Sequence, residues 1–358
     1  MDDKSNRISY HVIGVMSGTS LDGVDLAECW FEYHQGRWEY CLGACQTIPY
    51  PNNWQSRLMA AIDLSEVELK QLDIAYTAYL ADTIATFVKE HQIGSLDAVC
   101  SHGHTVHHRP EKGYTLQIGN LPYLASLTGY TVICDFRVQD VALGGQGAPL
   151  VPVGDHYLFA TYDYCLNLGG FANCSFDKGL GRQAFDICPV NIVLNPIAQK
   201  LGLPYDDKGD LARSGRVDQA LKRELDQLEY YFLPPPKSLG YEWVKQVFLP
   251  FVQRSGLSEV DTLATLTAHM AGLLAAVFDS GSTVLATGGG AFNAFLIESV
   301  VDQKAIRFIR PDNKLVEFKE ALIFAFLGIL KLSGLPNCLA SVTGASHDHS
   351  SGVIYQAT

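Results

Sequence analysis

The chain has 358 residues, 47% of them hydrophobic, and a formal net charge of −12 at pH 7. This length allows two domains of ordinary size, each with its own core. The acidic balance and the lack of a basic run argue against nucleic-acid and anionic-membrane partners and favour a small-molecule ligand. The N-terminus has no signal-peptide core, and the longest apolar run, Ala321 to Leu330, is too short to span a bilayer, so we expect a cytoplasmic protein.

The first predicted element is a strand, a glycine-rich turn and a second strand. Apolar runs at 10–16 and 24–31 flank the turn, and Asp22-Gly23 is a dipeptide that tolerates positive φ in a hairpin. The turn lacks a Gly-Lys-Ser/Thr ending and a following helix, which excludes a Walker A loop.

This turn predicts a phosphate site, although an ordinary hairpin explains the same residues. Its glycines let backbone N–H groups approach an anion, and Thr19 and Ser20 add hydroxyl donors. Asp22 and Asp25 would repel a phosphate unless a divalent cation lay between them. The pair therefore favours a magnesium-nucleotide site in which Asp22 contributes to the metal.

A histidine-rich segment follows a predicted strand at 96–100. The C-terminal ends of such strands are where open α/β sheets place ligand-binding groups. Imidazoles also bind metals, but no carboxylate or thiolate completes a ligand set nearby, so hydrogen bonding to a ligand is favoured and a metal site is the alternative. The four residues are His102, His104, His107 and His108.

Arg137 follows the next predicted strand, at 130–134. Its guanidinium matches the geometry of a carboxylate or phosphate, so it is a candidate for gripping an anionic group of a substrate. An ion pair with Asp135 or Asp140 is the structural alternative.

The strand–turn–strand pattern recurs more than 100 residues later. Apolar runs at 164–168 and 172–176 flank Gly169-Gly170, and this repetition predicts two similar halves, each with a phosphate-holding turn. A third glycine turn, Gly288-Gly289-Gly290, lies between a predicted strand at 283–286 and a helix at 291–301, and would let a ring or a phosphate lie on the backbone.

Asp186 precedes an amphipathic helix predicted at 192–201. It is either a cap for that helix or, as a carboxylate just after a strand, a general base. A buried helix at 317–332 carries Glu320. We expect the cysteines, an odd number without a Cys-x-x-Cys pair, to be reduced core residues, and His347 and His349 in the C-terminal loop to face solvent.

Eight sequence blocks, in order, resemble the anhydro-N-acetylmuramic acid kinase family: GVMSGTSLDGVD, SHGHTVHHRP, DFRVQDVALGGQGAPLVP, NLGGFAN, FDICPVN, PPPKSLG, TGGGAFN and EALIFAFLG. The resemblance implies a two-domain, actin-like (ribonuclease H-like) α/β fold with a nucleotide cleft between the domains. The domains expected are 1–135, joined by 340–358, and 136–339.

The family's reaction uses ATP to open the 1,6-anhydro bridge of anhydro-N-acetylmuramic acid and to phosphorylate O6, giving N-acetylmuramic acid 6-phosphate and ADP in cell-wall recycling. The resemblance implies ATP and Mg as cofactors, a small amino sugar as substrate and a homodimer. It implies Asp186 as the base, Arg137 and Glu320 beside the sugar, and His104 and Thr105 as further sugar contacts. The ATP-binding residues implied are Gly18, Thr19, Ser20, Asp22, Gly23, Asn167, Gly169, Gly170, Gly288, Gly289, Gly290 and Asn293.

The chain departs from the family pattern at several positions. Ile-Cys-Pro-Val-Asn follows Asp186 where Thr-Gly-Pro-Gly-Asn is usual, and these changes leave the preferred sugar open. His104 replaces a common Gln, Leu239 and Tyr241 replace Thr and Arg, and Phe292 replaces Arg. A kinase for a related amino sugar and a non-catalytic, nucleotide-dependent binding or chaperone-like protein of the same fold are the alternative hypotheses.

Overall fold

The computed structural model describes residues 8–18, 21–179 and 181–357. The chain divides into two compact units. The first unit runs to Leu158 and resumes at Phe318, and the second unit is Phe159–Glu317. This division differs from the predicted boundaries at 135/136 and 339/340. Residues 136–158 belong to the first unit because they pack there, as Gly154 does against Ile323.

The strands and helices alternate along the chain as the hydrophobic periodicity predicts. The strands are β1 Ile8–Ser17, β2 Gly23–His34, β3 Arg37–Pro49, β4 Ala98–Arg109, β5 Tyr114–Ile118, β6 Val132–Cys134, β7 Tyr164–Leu168, β8 Phe171–Lys178, β9 Gly181–Pro189, β10 Thr283–Thr287, β11 Arg307–Ile309 and β12 Val353–Tyr355. The helices are α1 Asn52–Ala60, α2 Glu66–Glu90, α3 Tyr123–Thr128, α4 Val138–Ala142, α5 Val151–Leu158, α6 Asn191–Lys200, α7 Asp210–Ser214, α8 Gln219–Asp226, α9 Tyr241–Trp243, α10 Leu249–Ser255, α11 Glu259–Val277, α12 Ala294–Val301, α13 Asn313–Leu332 and α14 Ala340–Thr343.

The two units repeat one sheet topology. In the first unit the strand order is β12-β6-β4-β1-β2-β3, with β5 paired to β4, and in the second it is β11-β10-β7-β8-β9. Three consecutive antiparallel strands, β1 to β3 or β7 to β9, are followed by strands parallel to the first of them. The predicted fold class and the prediction of two similar halves are confirmed by this duplicated order.

Helices cover both faces of the sheet around β1. Successive side chains of a strand point to opposite faces, so a strand that is apolar throughout must be buried on both. Ile13 and Val15 of β1 are fully buried in a cluster that contains Tyr76 and Ile84 of α2. Gly14, between them, faces α13 on the other side. The helix α2 begins at a capping box formed by Ser65 and Glu68, which satisfies its first backbone N–H groups.

The second unit has its own core, in which β7 and β10 are covered by α6, α8, α11 and α12. The helix α11 is long and apolar enough to cross a membrane by length and composition. However, eleven of its residues are buried within this core, as in a core helix of a water-soluble domain. Its apolarity is therefore explained by packing.

Two sequence expectations about histidines are wrong. The segment from His102 to His108 does not follow a strand but lies within β4, which continues to Arg109 and pairs with β5. His349 does not face solvent, because an isolated antiparallel bridge to Cys338 holds it in the interior, where it is 5% exposed.

We predict that Gly14→Ala destabilises the protein by about 1–3 kcal/mol, the usual range for overpacking a core. A Cβ at this position would lie 2.0 Å from the backbone oxygen of Ala321, so strand or helix must move. Urea unfolding followed by circular dichroism measures the change. Gly94→Ala is the matched control, because its Cβ would meet nothing within 4 Å. Equal unfolding free energies for the two variants would contradict the close packing of β1 on α13.

Candidate active site

The Gly169-Gly170 turn is fixed by the segment that follows β9. The carbonyl oxygen of Gly170 accepts hydrogen bonds from the amides of Val190 and Ile192 at 2.7 and 3.2 Å. The carbonyl oxygen of Gly169 accepts one from the amide of Asn191 at 3.2 Å. The start of α6 and this glycine turn therefore form one rigid backbone unit.

Some glycines of the second unit are required by packing and others leave open space. A Cβ on Gly288, whose φ is +79°, would lie 2.5 Å from the side-chain oxygen of Asn167, and one on Gly290 would lie 2.8 Å from the backbone oxygen of Leu168. By contrast, a Cβ on Gly170 would meet its nearest atom, on Ile192, at 3.7 Å. Gly289 is similarly open, with its nearest atom at 3.8 Å. Asn167 thus lies beside both predicted nucleotide turns of this unit.

Asp186 lies within β9 and does not cap α6. That helix begins at Asn191, its N-cap residue is Val190, and it has no side-chain cap. One carboxylate oxygen of Asp186, Oδ2, instead accepts a hydrogen bond from the amide of Leu239 at 2.7 Å. Burial raises the pKa of the Asp186 carboxyl, and the Leu239 amide opposes this rise. The prediction that Asp186 caps α6 is therefore wrong. Its carboxylate is half buried and is held by the Leu239 amide.

The backbone of Asp186 is held by Tyr230 and by the proline-rich loop that follows it, contacts that the sequence analysis did not predict. The hydroxyl of Tyr230 donates to the carbonyl oxygen of Asp186 at 2.7 Å, and the amide of Asp186 donates to the carbonyl of Lys237 at 3.1 Å. The Lys237 ammonium in turn donates to the carbonyls of Tyr230 and Tyr231. The lysine after three prolines, in PPPKSLG, was the available signal for this clamp.

The opening turn of the first unit joins β1 to β2. Its described residues include Leu21, with φ of +59°, and the exposed Asp22, whereas Thr19 and Ser20 lie outside the described residues. A Cβ on Gly23 would lie 2.4 Å from the carbonyl oxygen of Ile48, so this glycine is required by the approach of β3. Gly18 is the half-buried glycine at the end of β1.

A buried polar network begins at the last residue of β1. The hydroxyl of Ser17 is hydrogen-bonded to Nδ1 of His104 at 2.8 Å and to the hydroxyl of Tyr50 at 2.7 Å. Tyr50 is in turn hydrogen-bonded to the hydroxyl of Tyr76. Burial lowers the pKa of His104 to about 4, so its imidazole is neutral at pH 7. The sequence analysis predicted His104 as a site residue but did not predict its hydrogen-bond partners.

Arg137 is positioned by His102 and not by the two nearby aspartates. Its Nε donates to Nε2 of His102 at 2.9 Å, and its Nη1 donates to the carbonyl of Gly147 at 2.6 Å. Since Nε2 of His102 accepts, its Nδ1 carries the proton and donates to the carbonyl of Gly103 at 2.9 Å. Burial lowers the pKa of Arg137 to about 10, which leaves the guanidinium charged at pH 7.

Glu320 of α13 is the acidic neighbour of this arginine. Its side chain is reached by solvent, yet desolvation raises its pKa, with Arg137 opposing the rise and Asp25 adding to it. Asp25 itself accepts a hydrogen bond from the hydroxyl of Thr47. The first unit therefore holds both Arg137 and Asp25 within electrostatic reach of Glu320.

The predicted site residues fall into two groups, one in each unit. The remaining members have structural contacts of their own. Thr105 accepts a hydrogen bond from the Gln117 side chain at 3.3 Å, and the side-chain oxygen of Asn293 caps α12 by accepting from the amide of Leu296 at 3.0 Å. His107 and His108 belong to no candidate metal-ligand cluster among the described residues.

Comparison with known proteins decides the family. The family profile described as "Anhydro-N-acetylmuramic acid kinase" matches residues 10–357. The chain belongs to the anhydro-N-acetylmuramic acid kinase family. The family predicted from the eight sequence blocks is thereby confirmed, and a non-catalytic role is not favoured.

The relatives extend over nearly the whole chain. A protein of this name from Synechococcus elongatus is 35% identical, covering 97% of this chain and 100% of the relative. One from Nitrosomonas europaea is 34% identical over the same shares. Among solved structures, component A of the (R)-2-hydroxyglutaryl-CoA dehydratase of Acidaminococcus fermentans has a TM-score of 0.43 at 12% identity, covering 88% of this chain and 96% of that one.

We predict that His104 makes stability fall in mild acid. Its pKa is about 4 in the folded state and about 6.5 in an unfolded chain, so the unfolded state binds the proton first as the pH falls. The free energy of unfolding should lose about 3 kcal/mol from this residue between pH 6.5 and 4. Urea titrations at stepped pH measure it.

His104→Gln should remove this part of the pH dependence, because a glutamine amide can still hydrogen-bond Ser17 but does not titrate. His347→Gln, at an exposed histidine, is the matched control and should behave as the unaltered chain. An unchanged slope in His104→Gln would show that the folded protein tolerates a charged imidazole there.

Proposed function

We propose that the chain is an ATP-dependent kinase that opens the 1,6-anhydro bridge of anhydro-N-acetylmuramic acid and phosphorylates O6, with Asp186 as general base. The position of Asp186 carries this proposal. It lies near the end of a strand, is half buried, and is tied by one oxygen to Leu239. A carboxylate whose pKa is raised by burial is a stronger base than an exposed one.

The reaction needs one proton acceptor and one phosphoryl transfer. Asp186 takes a proton from water as the water oxygen bonds to the anomeric carbon of the sugar, and the bond from that carbon to O6 breaks. The released O6 bonds to the γ-phosphorus of ATP, the bond from that phosphorus to the β–γ bridging oxygen breaks, and ADP leaves. The Leu239 amide holds one carboxylate oxygen, which leaves the other to orient water.

Gly169 and Gly170 are proposed to hold phosphate oxygens of ATP. The hydrogen bonds from residues 190–192 engage their carbonyl oxygens, which fixes the plane of each peptide. The amide of Gly169 donates to the carbonyl of Phe171 at 3.1 Å, so the amide of Gly170 is the one proposed to donate to phosphate. Gly289, with open space around it, is proposed as the adenosine-side contact, whereas Gly288 and Gly290 shape that turn by packing.

The remaining nucleotide contacts are proposed for residues beside these turns and in the first unit. Asn167 and Asn293 border the two turns of the second unit. The other phosphate contacts are proposed for the opening turn of the first unit, at Gly18, Thr19, Ser20 and Gly23.

Asp22 is proposed to bind magnesium, in part through water. Its carboxylate is exposed at the turn after β1, and hard oxygen ligands of this kind suit Mg²⁺. When bound, the ion would neutralise phosphate charge.

Arg137 and Glu320 are proposed to bind the sugar. The arginine is oriented by His102 and Gly147, so its remaining donor nitrogen, Nη2, is directed without large side-chain freedom. Glu320, which solvent reaches, supplies acceptors for sugar hydroxyls. His104 and Thr105 are proposed as further contacts. The cytoplasmic location and the homodimer stay predictions.

The residues after Asp186 that differ from the family pattern do not by themselves require a different sugar substrate. Ile187, Cys188 and Val190 are at most 3% exposed and belong to the hydrophobic core of the second unit. Larger side chains in place of the family's small residues therefore fill the core instead of narrowing the space beside the carboxylate. This supports the family's substrate over a related amino sugar.

We predict that Asp186→Asn lowers kcat by roughly 10²- to 10⁴-fold, the usual contribution of a general base. Asparagine keeps the size and can accept from Leu239, but it cannot take a proton from water. A coupled ADP-release assay measures the rate, and a thermal melt checks folding. Asp82→Asn, at an exposed position on α2, is the control and should be fully active. Near-normal turnover in Asp186→Asn would reject the base assignment.

We predict that Gly170→Ala weakens ATP binding about 10-fold, or about 1.4 kcal/mol, without a loss of stability. The new methyl group has ordinary contact distance to Ile192, but it stands where a phosphate would approach the backbone. Isothermal titration with a non-hydrolysable ATP analogue measures affinity. Gly94→Ala, at a glycine without a positive φ and with no atom within 4 Å of its Cβ, controls for the substitution itself. Equal affinities in the two variants would remove this turn from the nucleotide site.

A further inference from the structure

Asp140, Cys338 and His349 form a buried group that the proposed reaction does not use; we call it the C-terminal cluster. One ligand atom from each residue lies within 4.8 Å of the others. All three belong to the first unit and are at most 5% exposed. Carboxylate, thiolate and imidazole are the three side-chain types that bind zinc.

The fold brings these residues together from distant parts of the chain. Cys338 and His349 face each other across an antiparallel bridge in which each amide donates to the other's carbonyl, at 3.1 and 3.2 Å. Directly opposed residues on such a bridge project to the same side. Asp140, on α4, meets them there.

The orientation of His349 is that of a metal ligand. Its Nδ1 is 3.0 Å from the carbonyl oxygen of His347, so Nδ1 is the donor there and Nε2 is the ring nitrogen left to bind a metal. That Nε2 is buried and has no hydrogen-bond partner among the described residues. Metal-binding histidines commonly donate their other ring N–H to a backbone carbonyl in this manner.

His349 and Asp140 are farther apart than the partners of two other histidine–carboxylate pairs of this chain. Nε2 lies 3.5 Å from Oδ1 of Asp140, whereas His269 and Asp226 approach to 2.6 Å and His11 and Glu28 to 2.9 Å. Zinc–nitrogen and zinc–oxygen bonds of about 2.0–2.2 Å place tetrahedral ligand atoms about 3.4 Å apart. The observed spacing therefore fits two ligands of one ion better than a donor and its acceptor.

Two hydrogen bonds fix the orientation of the Asp140 carboxylate. Its Oδ2 accepts from the amide of Gly147 at 2.7 Å, and its Oδ1 accepts from the hydroxyl of Thr343 at 2.7 Å. Only the Thr343 bond uses a lone pair of Oδ1, so the second lone pair of that oxygen remains for a metal. Ligating carboxylates in proteins are themselves hydrogen-bonded in this way.

We propose that the C-terminal cluster is a structural site for a divalent transition metal of the zinc class. Nε2 of His349, Oδ1 of Asp140 and the thiolate of Cys338 are the ligands, and the thiol proton is released to solvent on binding. The ion fastens residues 337–351 to the loop after Arg137, whose Gly147 carbonyl accepts from that arginine. The proposal does not depend on the proposed reaction.

Zinc-free protein, prepared with a chelator and a thiol reductant, should take up one zinc per chain by elemental analysis and melt at a higher temperature. Cobalt(II) used as the probe in place of zinc should give the thiolate-to-cobalt charge-transfer band of a cysteine ligand. The absence of stoichiometric zinc, or a cobalt complex without that band, overturns the proposal.

Three variants and two controls locate the site. Cys338→Ser and His349→Gln should lose the stoichiometric metal, and Thr343→Val should bind it about 10- to 100-fold more weakly, as second-sphere changes do. Cys165→Ser, at another buried cysteine, and His347→Gln, at a neighbouring exposed histidine, are the matched controls and should bind as the unaltered chain does. Full metal retention in Cys338→Ser overturns the assignment even if zinc binds elsewhere.

Discussion

The hydrogen bonds between the Gly169-Gly170 turn and residues 190–192 are the constraint on which the second unit's chemistry depends. They join the peptide planes proposed to face phosphate to the segment that ends β9. Asp186 lies on that strand, and the Tyr230 hydroxyl and the Leu239 amide fix it from a second direction. The proposed base and the proposed phosphate turn are therefore held by one backbone framework, which is the kind of preorganisation that catalysis requires.

In the first unit, the main constraint is that a buried arginine must remain charged. Burial lowers the pKa of Arg137 only to about 10, so it carries its charge at pH 7. Nε2 of His102 can accept from it because burial and the arginine itself hold the pKa of that imidazole well below 6.5. A protonated His102 would have no lone pair to accept the hydrogen bond from Arg137. The neutral state of this histidine is therefore needed to hold the arginine in position.

Glycine has two separate functions in the turns of this chain. At Gly14, Gly23 and Gly288, a Cβ would collide with backbone or a packed side chain, so glycine is needed for folding. At Gly170 and Gly289, a Cβ would meet nothing closer than 3.7 Å, so packing does not require glycine there, in keeping with the proposed approach of a ligand to the backbone. Glycine-rich motifs therefore combine structural and ligand-facing positions that a sequence pattern does not separate.

The sequence by itself determined the duplicated strand–turn–strand units, the long helices and the family. These are properties of local periodicity, turn chemistry and the order of short motifs, all of which are written along the chain. Only the tertiary structure decided which partners the functional side chains have. Leu239 is 53 residues from Asp186, His102 is 35 from Arg137 and Thr343 is 203 from Asp140. Contacts of this kind arise when sheets and helices pack, and so the burial of His349 and the strand position of Asp186 could not be predicted from their neighbours in sequence.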